Sequence, residues 1–275
     1  MTKNSPSDKI CFNGLTTVNL ELTNRCNKKC WMCGRRKIEA ENPGKIIFND
    51  DMDIGLVKLI AAQLPPDVIV QFHNNGDPLM YPELLSALDF FKKQIRCFDT
   101  NGKLLLKRAA DIKGRVDTVT VSTFERDETW EEQFEILKQF LKLNGMFSPR
   151  IIIRCLGDIG ENRLKLYRET GCLVVPRVLH SPDGSFKYTK QTTIPEVGFC
   201  IEIMNHIAIN TKGEVSFCVR FDPDRQGVIG DVSKETLASI WNSPKRRDYI
   251  RAHIEGRRGE LNLCSKCHYW GIPRG

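Results

Sequence analysis

The sequence contains no long uninterrupted apolar stretch, and its first ten residues (MTKNSPSDKI) are polar. The lack of a long apolar stretch argues against a membrane-spanning helix, and the polar N-terminal residues argue against a secretory signal peptide. We therefore expect a cytoplasmic protein that does not associate with membranes. The 275 residues suffice for one large domain, or for one large domain with a small appendage.

The chain also lacks any recognised nucleic-acid-binding motif, although its formal net charge is +7. Nucleic-acid binding is therefore disfavoured as a function. The positive charge is unevenly spread, since six basic residues and no acidic residue lie between Arg25 and Lys37. This stretch predicts either an ordinary solvated surface or a basic rim that attracts an acidic electron donor such as flavodoxin or ferredoxin.

Cysteine, by contrast, is abundant, with eleven residues in the chain. In a reducing compartment disulfides are disfavoured, and metal binding or catalysis is the favoured use of cysteine. Seven cysteines form two spaced groups: Cys26, Cys30 and Cys33, and then Cys200, Cys218, Cys264 and Cys267. The other four are interpreted as small buried hydrophobic residues: Cys11, Cys97, Cys155 and Cys172.

Short segments rich in β-branched residues alternate with helical patterns over about the first 180 residues. The predicted strands are Thr17–Leu22, Val68–Phe72, Ile95–Asp99, Thr118–Thr123, Arg150–Leu156 and Cys172–Leu179. The predicted helices cover about Leu56–Leu64, Pro82–Phe91, Lys103–Ile112, Trp130–Asn144 and Glu161–Thr170, and Asp50 and Asp51 are candidate caps of the first. This alternation predicts an α/β fold with a parallel sheet, whose ligands lie beyond the carboxyl ends of the strands.

The pattern changes after about residue 190. A β-hairpin is predicted around Thr211–Gly213, followed by short helices at Ser233–Trp241 and Pro244–Glu255. So small a unit has few apolar residues of its own, and a bound metal would stabilise it. We therefore predict two domains, residues 1–190 and residues 191–275.

The first cysteine group lies directly after the first predicted strand, in the pattern C-x3-C-x2-C. Three thiolates on one short loop can hold three corners of an iron–sulfur cube and leave one iron open to a substrate or cofactor. Taken alone, the group could also be three incidental thiols, or part of a zinc site completed by a distant residue.

With its context, this group resembles the hallmark of the radical S-adenosylmethionine (SAM) superfamily, and the resemblance covers about Val18 to Leu179. It implies a partial (β/α)6 barrel whose [4Fe–4S] cluster on Cys26, Cys30 and Cys33 is chelated by SAM through the open iron. It also implies reductive cleavage of SAM to a 5′-deoxyadenosyl radical, which abstracts a hydrogen atom from the substrate.

The same resemblance implies a set of SAM-binding residues. Met32 matches the hydrophobic position before the third cysteine, and Asn75-Gly76-Asp77-Pro78 stands where the family carries Gly-Gly-Glu-Pro. In this sequence Asn75 replaces the first Gly of that motif and Asp77 replaces its Glu. Because the family contacts the amino group of SAM largely through the backbone of this loop, we expect SAM binding to be retained. The remaining candidates are Ser122 for the ribose, and Asn101 and Arg154, the last of which could pair with the methionyl carboxylate.

The second cysteine group, Cys200-x17-Cys218-x45-Cys264-x2-Cys267, supplies four thiolates. By themselves these could form a fully ligated cluster or a structural zinc site. The order of motifs resembles the SPASM/Twitch extension of radical SAM enzymes, with Gly213-Glu-Val before Cys218 and Ile229-Gly-Asp-Val after it. Because no cysteine follows Cys267, the resemblance implies the shorter Twitch form with one auxiliary [4Fe–4S] cluster, which makes two clusters in all.

An auxiliary cluster can accept the electron of a substrate radical, which predicts oxidation of a small molecule, as in compact barrel-plus-Twitch dehydrogenases of aminocyclitol alcohols. Such a reaction needs a base, and the candidates are Arg220, Asp222 and His180, each of which could equally be an ordinary surface or salt-bridge residue.

One alternative function is that of a peptide-modifying maturase. However, only about fifteen residues precede the first strand, which leaves no room for a leader-binding domain and favours a small molecule or a short peptide segment as the substrate. A non-catalytic, zinc-stapled binding protein is the alternative from another class.

Overall fold

The computed structural model describes residues 12–41, 43–44, 48–179, 199–219, 222–265 and 267. Its strands are β1 Thr17–Leu20, β2 Ile69–Phe72, β3 Ile95–Thr100, β4 Thr118–Phe124, β5 Arg150–Leu156, β6 Leu173–Arg177, β7 His206–Ile209, β8 Glu214–Ser216 and β9 Val228–Asp231. Its helices are α1 Gly34–Glu41, α2 Ile54–Gln63, α3 Leu84–Phe90, α4 Ala109–Ile112, α5 Trp130–Asn144, α6 Glu161–Glu169, α7 Glu202–Asn205, α8 Leu237–Trp241, α9 Pro244–Ile254 and α10 Asn262–Ser265. Among these helices, none is both long and apolar enough to cross a membrane.

The nine strands form one sheet in the order β6-β5-β4-β3-β2-β1-β7-β8-β9. Strands β1 to β6 are mutually parallel and follow their chain order, which confirms the predicted parallel α/β fold of a partial barrel. Parallel strands need crossover connections, and helices or helical turns supply them here.

The C-terminal hairpin extends this sheet instead of folding apart from it. Strand β7 pairs in parallel with β1, and the antiparallel strands β8 and β9 continue the edge. The carboxyl ends of β1, β2 and β7 therefore meet at one rim, beside the loops that carry the first cysteine group and the Asn75–Asp77 segment. The predicted boundary between domains at residues 190 and 191 lies outside the described residues.

The core is formed by the strands of the sheet and the helices that pack against them. Phe72 of β2 packs edge-on against Phe91 at a centroid distance of 5.3 Å and against Phe98 of β3 at 5.4 Å. Such edge-to-face pairs add specificity to the burial of large apolar side chains. Trp241 of α8 is also fully buried, and its indole N–H donates to the carbonyl of Asn13, so the C-terminal part shares this core.

Two local expectations are corrected. Helix α2 is capped by Asp53, whose carboxylate accepts from the Leu56 amide at 3.1 Å, and not by Asp50 or Asp51. Of the helix predicted at Lys103–Ile112, only the part that forms α4 is α-helical, and turns precede it. These turns allow three consecutive residues, Leu104–Leu106, to pack against the core. Helix α1 was not predicted, although its i,i+4 pair Arg35–Glu39 was a readable signal.

Candidate active site

The loop between β1 and α1 carries Cys26, Cys30 and Cys33, and it is organised by its own backbone. The amide of Cys33 donates to the carbonyl of Cys30 at 3.2 Å, and the amide of Arg36 donates to the carbonyl of Cys33 at 2.8 Å, which begins α1. Burial, followed by the nearby thiols of Cys33 and Cys26, raises the pKa of Cys30 to about 12, although the ammonium of Lys28 opposes this rise. The structure thus brings the three predicted thiols together.

The same loop is clamped to the end of β4. The ammonium of Lys28 lies 2.7 Å from the carboxylate of Asp127, and both side chains are almost fully buried, at 7% and 3% exposure. The indole N–H of Trp31 donates to the carbonyl of Glu125 at 3.1 Å. These contacts join residues nearly a hundred positions apart, so the tertiary fold, and not the loop alone, positions the cysteines.

Gly76 explains why the loop after β2 can dock on the cysteine loop. A Cβ at this position would lie 2.7 Å from the carbonyl oxygen of Arg25, 2.8 Å from the carbonyl carbon of Asn24 and nearer still to the carbonyl oxygen of Thr23. All three atoms belong to the backbone segment that leads into Cys26, so only glycine fits this contact.

The side chain of Asp77 is bound by other residues of the protein, and its predicted contact with SAM stays a prediction. Its carboxylate is buried and accepts from the Thr100 hydroxyl at 2.9 and 3.0 Å, the Asn101 amide at 2.8 Å and the Leu79 amide at 3.0 Å. Burial raises the pKa of this carboxyl, against these bonds. The side chain therefore joins the loops after β2 and β3, and the protein already occupies its oxygens.

Glu21, which was not predicted from the sequence as a site residue, forms hydrogen bonds with the predicted SAM-binding loop. Its carboxylate accepts from both the backbone amide and the side-chain amide of Asn75, each at 2.9 Å, and from the amide of Thr211 at 3.3 Å. Burial raises the pKa of Glu21, and the hydrogen bonds from Asn75 oppose this rise. Its signal was a lone carboxylate at the end of an apolar strand, two residues before the polar Thr23–Arg25 segment.

The other predicted SAM contacts lie along the carboxyl ends of β3 to β5. The side-chain amide of Asn101 donates to Asn27 at 2.8 Å and lies 3.8 Å from the sulfur of Cys26, so Asn101 borders the first cysteine group. Arg154 pairs across the sheet with Asp99 through two bonds of 2.7 and 3.0 Å, so its guanidinium is already engaged by a carboxylate.

Ser122 stands opposite Arg154 in the register of β4 and β5, and its carbonyl accepts from the side chain of Gln133 at 2.9 Å. Met32 lies in the cysteine loop, half-buried. Met32 therefore belongs to the first cysteine loop, and the contact of Met32 and Ser122 with SAM stays a prediction.

The second cysteine group is also brought together. Burial, followed by the neighbouring thiols of Cys218, Cys200 and Cys267, raises the pKa of Cys264 to about 12, so all four thiols lie within electrostatic reach of one another. Burial likewise raises the pKa of Cys200, although the amides of Ile203 and Glu202 at the start of α7 donate to its sulfur.

The two cysteine groups differ in the number of thiols that they offer. Three thiols suit an iron–sulfur cluster with one open iron, and four suit a fully ligated cluster or a structural zinc ion. All seven of these cysteines lie among the described residues.

A cavity of about 330 Å³ lies where the barrel meets the C-terminal hairpin. Its wall joins Asn24 and Asn75 on the barrel side to Cys218, Val219 and Asp222 on the hairpin side. The cavity therefore contacts Cys218 of the second group, and on its other side the lining includes Asn24, which stands two residues before Cys26.

Of the three predicted base candidates, only Asp222 is among the described residues; Arg220 and His180 lie outside them. The carboxylate of Asp222 accepts from the amides of Gln226 and Gly227 at 2.9 and 2.7 Å. Burial raises the pKa of Asp222, against those two bonds. This carboxyl lies in the cavity wall.

The basic stretch between Arg25 and Lys37 is largely neutralised. Five of its six basic residues lie within 4.0 Å of a carboxylate, in the pairs Arg25–Asp51, Lys28–Asp127, Arg35–Glu39, Arg36–Glu39 and Lys37–Glu41. Lys29, the sixth, is exposed. The stretch is therefore less positive in the folded protein than the sequence indicates.

Comparisons with known proteins agree with this architecture. Residues 200–268 match the SPASM family, an iron–sulfur cluster-binding domain. The chain superposes on the crystal structure of BtrN in complex with AdoMet and 2-DOIA, with a TM-score of 0.63, 18% identity and 93% coverage of each chain. No curated protein sequence matches it significantly.

Two further solved structures share the fold. The structure of Streptococcus suis SuiB bound to S-adenosylmethionine gives a TM-score of 0.65 at 13% identity, covering 90% of this chain and 70% of SuiB. The structure of native anSMEcpe with bound AdoMet gives a TM-score of 0.65 at 11% identity, covering 92% of this chain and 89% of anSMEcpe. The chain therefore has the fold of these three AdoMet-bound proteins, and its residues 200–268 match the SPASM iron–sulfur cluster-binding family.

Proposed function

We propose that the protein is a radical SAM oxidoreductase that oxidises a small polar molecule held in the cavity between the barrel and the SPASM domain. The observation that carries this proposal is the lining of the cavity, which includes Cys218 of the second group together with Asn24 and Asn75 from the loops that follow β1 and β2. A molecule in this cavity would contact the second candidate redox centre and the predicted SAM-binding loop.

The first centre requires a cluster on Cys26, Cys30 and Cys33, with SAM on its open iron. When bound, this pair would supply a 5′-deoxyadenosyl radical that removes one hydrogen atom from the substrate, using one electron from an external donor. The chain contributes the docked loops around Gly76 and Glu21, which support the predicted SAM-binding segment.

The second centre requires a cluster on Cys200, Cys218, Cys264 and Cys267. Oxidation of an alcohol carbon to a ketone removes one further electron and one proton after the hydrogen atom has left. The four thiolates would hold the electron acceptor, and Asp222, one of the carboxylates that line the cavity, would take the proton. Arg220 and His180 remain proposals for the same role.

The lining of the cavity favours a substrate with hydroxyl or amino groups. It contains a series of amide, hydroxyl and carboxylate side chains: Glu21, Asn24, Asp50, Asn74, Asn75, Asn210, Thr211, Glu214, Ser216 and Asp222. Its two cations are paired, Lys212 with Asp50 at 2.8 Å and Arg225 with Glu214. The volume is in the range of small-molecule sites, which favours a small molecule over a peptide.

An external one-electron donor such as flavodoxin or ferredoxin is part of this proposal. Because most of the basic stretch is paired with carboxylates, we expect electron delivery to depend only weakly on ionic strength.

The experiment is anaerobic reconstitution followed by iron analysis and assays of SAM cleavage and deuterium transfer. Two cubane clusters correspond to about eight irons per chain. We expect 5′-deoxyadenosine on reduction, and deuterium transfer into it from a labelled polyhydroxylated or aminated substrate. Colourless protein with one zinc per chain and no SAM cleavage would refute the proposal and support the zinc-stapled binding protein.

The role of the second centre is tested by Cys218→Ser, with Cys172→Ser as the matched control outside both groups. We expect Cys218→Ser to retain SAM cleavage but lose product, and Cys172→Ser to retain both. Unchanged product formation in Cys218→Ser would show that the auxiliary cluster does not take part in the reaction.

A further inference from the structure

A buried histidine, His253, contacts the second cysteine group without being one of its predicted ligands. It lies near the end of α9 and is 5% exposed. Its Nδ1 accepts from the backbone amide of Cys200 at 3.3 Å. This contact joins residues 53 positions apart, so the fold brings the ring to the cysteine.

The hydrogen bond from Cys200 determines the tautomer of His253. A backbone amide can only donate, so Nδ1 must be unprotonated, and the ring is neutral with its hydrogen on Nε2. This Nε2 atom is buried and has no hydrogen-bond partner among the described residues. Buried donors are almost always satisfied, so an acceptor other than the described residues is indicated.

The neighbours of His253 show which acceptor is at hand. Its ring is within electrostatic reach of Arg258, whose guanidinium donates to the carbonyl oxygens of Cys264 and Cys267, the latter at 3.3 Å. The ring therefore contacts Cys200 directly, and Arg258 connects its surroundings to Cys264 and Cys267. A cluster held by these cysteines would present sulfide and thiolate sulfurs as acceptors.

We propose that the Nε2–H of His253 donates a hydrogen bond to a sulfur of the auxiliary cluster, either a sulfide or a cysteine thiolate, and thereby raises the reduction potential of this cluster. This inference rests on the proposed function, because it requires the cluster. His253 is a positioning residue and not a ligand, since the nitrogen that could bind iron carries the hydrogen.

The physical effect follows from charge. Reduction adds an electron to a cluster that is already anionic with its four thiolates, and a hydrogen-bond donor to sulfur stabilises the more negative state. A higher potential makes the cluster a better acceptor for the electron of a substrate radical.

The test is a redox titration, followed by electron paramagnetic resonance, of the full chain carrying Cys26→Ser, Cys30→Ser and Cys33→Ser, which leaves only the auxiliary cluster. We expect His253→Leu to lower the equilibrium constant for reduction about tenfold, which is a shift of about 59 mV for one electron. His253→Gln keeps an acceptor and an N–H donor, so its potential should stay near that of the unsubstituted histidine.

An unchanged potential in His253→Leu with full iron content, or an equally large shift in His253→Gln, would overturn the proposal. A measurement that needs no His253 variant uses 15N-histidine in the same protein: we expect a weak 15N hyperfine coupling to the reduced cluster. No coupling, or the strong coupling of a bound nitrogen, would overturn it. Absence of iron in the starting protein would instead refute the proposed function, so the two failures are distinguishable.

Discussion

The contact between Gly76 and the cysteine loop allows a sharp test of how this site is assembled. In Gly76→Ala the new Cβ would lie 2.7 and 2.8 Å from the backbone atoms of Arg25 and Asn24, and nearer still to Thr23. Real Cβ atoms do not approach this closely, so one backbone segment must move. Backbone atoms cannot rotate away as a side-chain end can, and overpacking of this kind costs about 1–3 kcal/mol.

The displacement should affect function as well as stability. The segment that must move leads directly into Cys26, and its partner loop is held by the bonds from Asn75 to Glu21. We therefore expect Gly76→Ala to lower the free energy of unfolding in urea by about 1–3 kcal/mol. It should also lower the iron retained by the first cluster.

Gly259→Ala is the matched control, because a Cβ there meets nothing within 4 Å. We expect its stability to match that of the unsubstituted protein or exceed it by up to about 1 kcal/mol, since alanine restricts the unfolded chain. Equal stabilities and equal iron contents for Gly76→Ala and Gly259→Ala would refute the steric argument.

Two further predictions concern charge. Lys28→Met leaves the buried carboxylate of Asp127 without its cation, so the free energy of unfolding in urea should fall by about 3–5 kcal/mol. The double variant Lys28→Met with Asp127→Leu should recover much of this loss. Equal losses in the single and double variants would contradict the prediction. Hydrogen bonds, first from Lys234 and then from Ser233, lower the pKa of Asp231 to about 2. This contribution to stability is present above the ordinary value of about 3.9 and is lost as pH falls towards 2. Carboxyl NMR titration should show a midpoint of about 2 that rises in Lys234→Met, and an unchanged midpoint would exclude Lys234 as the cause.

Local patterns in the sequence were enough to predict the parallel sheet and the two cysteine groups. Strand β5 begins and ends where its β-branched run predicts, because alternating burial within one segment is a local property. The spacing of Cys26, Cys30 and Cys33 likewise places three thiols on one loop whatever the rest of the chain does. The hairpin of β7 and β8 was readable from its turn residues.

Only the tertiary structure decided what each polar side chain binds. Asp77 and Arg154 have residue types suited to SAM, yet the fold gives Asp77 three protein partners and pairs Arg154 with Asp99, 55 residues earlier in the chain. Glu21 meets Thr211 across 190 residues, and His253 meets Cys200 across 53. A sequence specifies the donors and acceptors, but their partners depend on distances that exist only once β1, β2 and β7 lie side by side. For this reason the two cysteine groups were predictable, whereas the network of contacts that positions them was not.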